Sequence, residues 1–200
     1  MNVLENIGFP EHPVLFGGVD IGHKSDTTAV TFVYRDPRNG HYFLWDYKTW
    51  VPTKQKEADL IDVENTLFRV LENHNVAKLL FDPSQFATTN QKLRSAGYKH
   101  KLVEVNQQTE NVAFMNCLKT HLVQGTVSGI VPGDFRAHFK YANVRATERG
   151  WRVEKRRQSR PIDLVISTGM ALWSCTEASG AYTTGNFTES RHCRSLASAA

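Results

Sequence analysis

Cysteine is scarce in this chain: three occur in 200 residues, Cys117, Cys175 and Cys193, with no CxxC spacing. An odd number without that spacing supports neither a disulfide framework nor a zinc ribbon, and it fits a reducing cytoplasm. The eight histidines form no HExxH pattern and no i, i+4 pair, so a zinc site is not expected. No apolar run approaches the ~18 residues of a membrane span. Residues 1–13 include Glu5 and Glu11 and lack the basic-then-apolar pattern of an export signal, so they read as a leader outside the fold. A soluble cytoplasmic protein without a membrane partner is expected.

What is present is enough for one core. Hydrophobic residues make up 40% of the chain and aromatics 10%, within the length range of a single domain. The net charge is only +4, but it is unevenly placed. Nine basic residues against Glu148 and Glu154 give the segment 136–160 a charge of +7. The segment 177–200 is rich in Ser, Thr, Gly and Ala, a composition that cannot repay the entropy of ordering, and it reads as a disordered tail. The domain is therefore placed at 14–176.

Strand signals fill the first fifty residues: 14–21, 28–34 and 42–51, the last two separated by the turn cluster Asp36-Pro37-Arg38-Asn39-Gly40. A helical period follows in Leu60, Val63, Leu67, Val70 and Leu71. Short strands are expected at 78–81 and 102–105, with a helix over 88–96 between them. Three further helices are expected: one capped by Thr109, one capped by Asp134, and a last one opened by Pro161. This order gives an α/β fold with a five-stranded mixed sheet flanked by helices.

Three aspartates stand where such a sheet would gather them. Asp20 ends the apolar strand Gly18-Val19-Asp20, Asp82 ends Leu79-Leu80-Phe81-Asp82, and Asp163 opens the last helix. Each has a plain structural alternative: a turn residue, a helix cap, and a carboxylate favoured by the helix dipole. Parallel neighbouring strands, however, bring their C-terminal ends to one edge. Clustered carboxylates resist ionisation unless a cation joins them, and all-oxygen ligands select a hard ion such as Mg²⁺ or Mn²⁺. Two such ions ~3.5 to 4 Å apart support phosphodiester hydrolysis.

The residues Gly18-Val19-Asp20-Ile21-Gly22 through Asp26-Thr27-Thr28, then Phe81-Asp82-Pro83-Ser84, then Pro161-Ile162-Asp163-Leu164-Val165, are similar in order and spacing to three motifs of the ribonuclease H-like nucleases. The chain most resembles the C-terminal nuclease domain of the large terminase subunit of tailed bacteriophages, from about residue 14 to residue 173. That resemblance implies Asp20, Asp82 and Asp163 as catalytic metal ligands, Asp26 as a supporting carboxylate and Lys155 as a supporting cation. It also implies a two-metal-ion endodeoxyribonuclease that cuts concatemeric viral DNA during packaging. Double-stranded DNA would be its substrate; a packaging ATPase domain, a small terminase subunit and a portal protein would be partners, in the host cytoplasm. Arg152, Lys155, Arg156, Arg157 and Arg160 lead directly into the Asp163 helix and are read as phosphate contacts. Among the histidines only His23, close to Asp20, is a candidate for touching substrate, against the plainer reading of a turn residue.

The chain departs from the pattern twice. Ile162 precedes Asp163 where many related nucleases pair two acids, which weakens the expected hold on a second ion. No GxxxxGK[ST] loop is present, so the ATPase motor of the whole family subunit is not part of this sequence. Another ribonuclease H-like nuclease or resolvase is one alternative. A second is a kinase or ATPase of the actin and sugar-kinase type, since Asp20-Ile21-Gly22 with Thr27 and Thr28 also looks like a phosphate loop; such enzymes need a second lobe with a further DxG loop, which is missing. A third is a catalytically inactive nucleic-acid-binding module in which only the basic stretch matters.

Overall fold

The computed structural model describes residues 11–22, 26–53, 58–129, 133–148, 150–155 and 161–180. The chain opens with three antiparallel strands, β1 (Leu15–Asp20), β2 (Thr28–Arg35) and β3 (Tyr42–Trp50). It continues through α1 (Leu60–Asn73), β4 (Val76–Phe81), α2 (Pro83–Ser95) and β5 (Leu102–Glu104). Then come α3 (Gln107–Val123), β6 (Val127–Ser128), α4 (Gly133–Tyr141), β7 (Ala142–Thr147), β8 (Gly150–Lys155) and α5 (Asp163–Ala178).

The main sheet has six strands in the order β5-β4-β1-β2-β3-β6, not five. The additional strand, β6, is two residues long and pairs parallel to β3 through Tyr42 and Val127. It is too short to carry a period of two, and only the sheet edge beside it makes it a strand. The basic segment also departs from expectation. Part of it is an antiparallel hairpin, β7–β8, which forms a separate two-stranded sheet.

Strand alternation divides the core in two. Leu15, Val19, Val30, Phe32, Leu79 and Phe81 pack with Val63 and Leu67 of α1 and with Phe86 and Leu93 of α2. Phe16, Val33 and Leu80 face the other way, onto Phe114 and Leu118 of α3 and Val165, Met170 and Leu172 of α5. Helix α5 is buried on all sides from Asp163 to Thr176, which explains a sequence apolar almost all round. Gly18 permits this contact: a Cβ there would stand 2.0 Å from the Ser167 carbonyl oxygen, so only glycine lets β1 and α5 approach so closely. The Oγ atoms of Thr31 and Ser167 complete the seam at 2.8 Å.

This packing decides where the acids go. In β1 Phe16, Gly18 and Asp20 share the face toward α5, and the same alternation runs from Leu80 of β4 to Asp82 just beyond it. Val19 pairs with Phe81 across the parallel β1–β4 ladder, so Asp20 and Asp82 follow side by side at the C-terminal edge. No helix among the described residues is long and apolar enough to cross a membrane.

Candidate active site

A polar cleft of about 330 Å³ opens at this edge. Its acids are Asp20, Asp26 and Asp163; α3 contributes Gln107, Gln108 and Asn111, and β8 contributes Arg152 and Lys155. The end of β1, the loop after it, β8 and the start of α5 thus bring five of the expected site residues together: Asp20, Asp26, Arg152, Lys155 and Asp163.

Asp163 is the first residue of α5 and only 4% exposed. Its Oδ2 is buried and accepts no hydrogen bond from the protein. Burial, with repulsion from Asp26, pushes its carboxyl up to about 6, although Lys155 opposes the shift. Asp20 is pushed further, to about 7, by its own desolvation and by the negative charges of Asp163 and Asp26. A hydrogen bond from Gln107 and the charge of Lys155 act the other way. Asp26 makes an ion pair with Lys155 across 129 residues of chain and accepts from the Thr27 backbone N–H at 3.0 Å. Beside it the chain is tightly folded: the Gly22 N–H donates to Thr28 Oγ1 at 3.1 Å, and a Cβ on Gly22 would meet the Thr27 carbonyl oxygen at 2.3 Å.

Asp82 does not line the cleft. It is the N-cap of α2, accepting from the Ser84 N–H at 2.9 Å, with Pro83 suited to the first turn. Its second oxygen accepts from the backbone N–H of Gln107 at 3.4 Å. That same Gln107 donates its Nε2–H to Asp20 Oδ1 at 2.8 Å, so one residue joins the two strand-end acids. Arg156, Arg157, Arg160 and His23 lie outside the described residues.

Among the described residues no group of three or more His, Cys, Asp or Glu side chains stands close enough to hold a metal ion. The expected trio of Asp20, Asp82 and Asp163 is therefore not drawn together as a ligand set. The donor chemistry of the cleft nevertheless fits a hard divalent cation. Its described residues offer oxygen atoms without thiol or imidazole, one of them the unpartnered Oδ2 of Asp163, in a setting where carboxylates repel.

Gln107, Gln108 and Asn111 were not anticipated. The helix was expected to start at Thr109, whereas Asn106 caps it, accepting from the Gln108 N–H at 2.9 Å. The polar run Asn106-Gln107-Gln108 directly after β5 is the available signal, because β5 is parallel to β4 and ends at the same edge.

No sequence-family model and no curated protein sequence matches this chain. Solved structures do. The HK97 bacteriophage large terminase superposes with a TM-score of 0.71 at 15% identity, covering 84% of this chain. The fold resembles that of large-terminase nuclease domains. The large terminase nuclease of thermophilic phage G20c, solved with bound magnesium, gives 0.63 at 14% identity and covers 82% of each chain. The Thermus phage P74-26 large terminase nuclease domain gives 0.61 at 13% identity, covering 88% of this chain and 84% of that one. This chain spans 40% of the length of the HK97 large terminase. The likeness thus lies in the fold, a mixed sheet flanked by helices.

Proposed function

We propose that this chain is a metal-dependent endonuclease that hydrolyses phosphodiester bonds of double-stranded DNA, acting in the cutting of concatemeric viral DNA during packaging. The observation that carries this reading is the unpartnered Oδ2 of Asp163 in a cleft shared with Asp20 and Asp26, on a terminase-nuclease fold. A buried acceptor without a donor costs roughly 1 to 3 kcal/mol, which ligand binding can recover. Asp20 and Asp163 would hold the Mg²⁺ or Mn²⁺ ions, with Asp26 and Asp82 in support. When bound, such ions activate a water and stabilise the leaving oxygen.

The chain's own residues prepare this site. Gln107 fixes the orientation of Asp20 through its Nε2–H. Lys155 holds Asp26 and lowers the cost of ionising both Asp20 and Asp163. Arg152 lines the cleft on β8 and is suited to a DNA phosphate, with Arg156, Arg157 and Arg160 following it in sequence. On this reading a packaging ATPase domain, a small terminase subunit and a portal protein are its natural partners.

Incubating supercoiled plasmid with the protein in Mg²⁺, in Mn²⁺ and in chelator tests the reading. Nicked and linear products in either ion, with intact plasmid in chelator, are expected. Intact plasmid under all three conditions, at protein concentrations that bind DNA, would favour the inactive binding module.

A further inference from the structure

We propose that Asn111 is a metal ligand of this cleft, supplying a neutral amide oxygen beside the carboxylate of Asp163. The inference rests on the nuclease reading and adds to it a ligand on α3 that a search for acids does not reveal.

Asn111 is 5% exposed, and its Oδ1 is buried with no hydrogen-bond donor. It lines the same cleft as Asp163, whose Oδ2 is in the same condition. Two buried acceptors on different helices, in residues that line one polar cavity, are suited to a partner that is cationic or donates hydrogen bonds. A DNA phosphate does not meet that requirement, because its oxygens are themselves acceptors. A hard divalent cation does: it takes amide and carboxylate oxygens together, and a neutral ligand adds coordination without the repulsion a further carboxylate would bring.

The position is also fixed, as a ligand's must be. Four residues before Asn111, Gln107 is tied to Asp20 by its side chain and to Asp82 by its backbone N–H. Five residues after it, Asn116 Oδ1 accepts from the Trp151 N–H at 3.1 Å, tying α3 to β8. Asn111 is thus held between two anchors on one rigid helix, on the same face as Gln107.

The test compares wild type, Asn111→Leu and Asn111→Asp by Mn²⁺ titration, followed by calorimetry and by the electron paramagnetic resonance of free Mn²⁺. Thermal melts in chelator accompany it. Leucine is close in size and removes the unpartnered acceptor, so N111L should melt no lower than wild type in chelator. It should bind Mn²⁺ on the order of tenfold more weakly, the scale on which metal-site residues act. N111D keeps the oxygen and adds charge; it should bind Mn²⁺ more tightly than wild type and melt lower in chelator.

If wild type binds Mn²⁺ and N111L binds it equally well, Asn111 is not a ligand, while the cleft remains a metal site. If N111L is strongly destabilised in chelator, the Asn111 amide acts as a structural donor and the proposal fails; N111D binding no tighter than wild type also overturns it. Absence of Mn²⁺ binding in wild type defeats both this inference and the nuclease reading.

Discussion

Gln107 donates its side-chain Nε2–H to Asp20 Oδ1 at 2.8 Å, although 87 residues separate them. This bond favours the ionised carboxylate against burial and repulsion from Asp163 and Asp26. Gln107→Ala should therefore raise the Asp20 pKa beyond about 7, with DNA cleavage losing on the order of tenfold at neutral pH and recovering toward alkaline pH. A pH–rate profile that keeps its wild-type position would leave Gln107 without a role in tuning Asp20.

The raised carboxyls also predict how the metal-free protein responds to pH. Asp20 and Asp163 move from 3.8 to about 7 and about 6 on folding, so between these limits the folded state binds more protons than the unfolded one. Stability is then full below the unfolded pKa and is lost as pH rises through the folded values. Melting temperature in chelator should fall from pH 4.5 to pH 8, apart from the response of other groups. Asp20→Asn, which removes one of the repelling charges, should show a shallower fall and melt above wild type at pH 8. Mn²⁺ should reverse that order, because a ion held by the folded state stabilises the better site more. Parallel wild-type and variant curves that ignore pH and metal would contradict this.

Asp82 caps α2, and the proposed function gives it a second, supporting role at the metal site. Asn caps helices about as well as Asp, whereas Ala at such a position costs roughly 0.5 to 2 kcal/mol. Asp82→Asn should keep wild-type stability and lose cleavage, while Asp82→Ala should lose both. Full cleavage by the folded Asp82→Asn variant would restrict Asp82 to the α2 cap.

The hairpin cations divide likewise. Arg152 lines the cleft, and Lys155 is engaged with Asp26. Replacing Arg152 by Ala should weaken binding to all DNA sequences and flatten the salt slope by about one unit. Replacing Lys155 by Met should instead raise the pKa values of Asp20 and Asp163, which its charge holds down. Salt-dependent DNA binding and carboxyl titration by NMR separate these outcomes.

Gly18 offers a test of the frame beneath the site. A methyl group there would collide with the Ser167 carbonyl oxygen, so Gly18→Ala should cost about 1 to 3 kcal/mol, read as a lowered denaturation midpoint.

Much of this arrangement is legible in the sequence where burial imposes a pattern. The apolar strands ending in Asp20 and Asp82 follow from period and turn residues, and the meeting of Asp20 with Asp163 follows from the shared edge. The hairpin β7–β8 does alternate, with Ala142, Val144 and Ala146 in one strand and Trp151 and Val153 in the other, but its apolar residues are few and at most partly buried, so the basic charge of the stretch dominates its pattern. The start of α3 lies earlier than its expected cap Thr109, at Asn106. The bonds from Gln107 to Asp20 and Asp82, made only in the folded state, accompany the earlier start. Neutral amides such as Gln107 and Asn111 carry no motif and gain meaning only from what surrounds them.

The most direct test of the central claim compares wild type with Asp163→Asn on supercoiled plasmid in Mn²⁺, with wild type in chelator alongside and circular dichroism confirming that both proteins are folded. Wild type should nick and linearise the plasmid in Mn²⁺, while the variant and the chelated protein leave it supercoiled. Equal cleavage by folded Asp163→Asn, or cleavage that persists in chelator, would contradict a metal-dependent nuclease centred on this cleft.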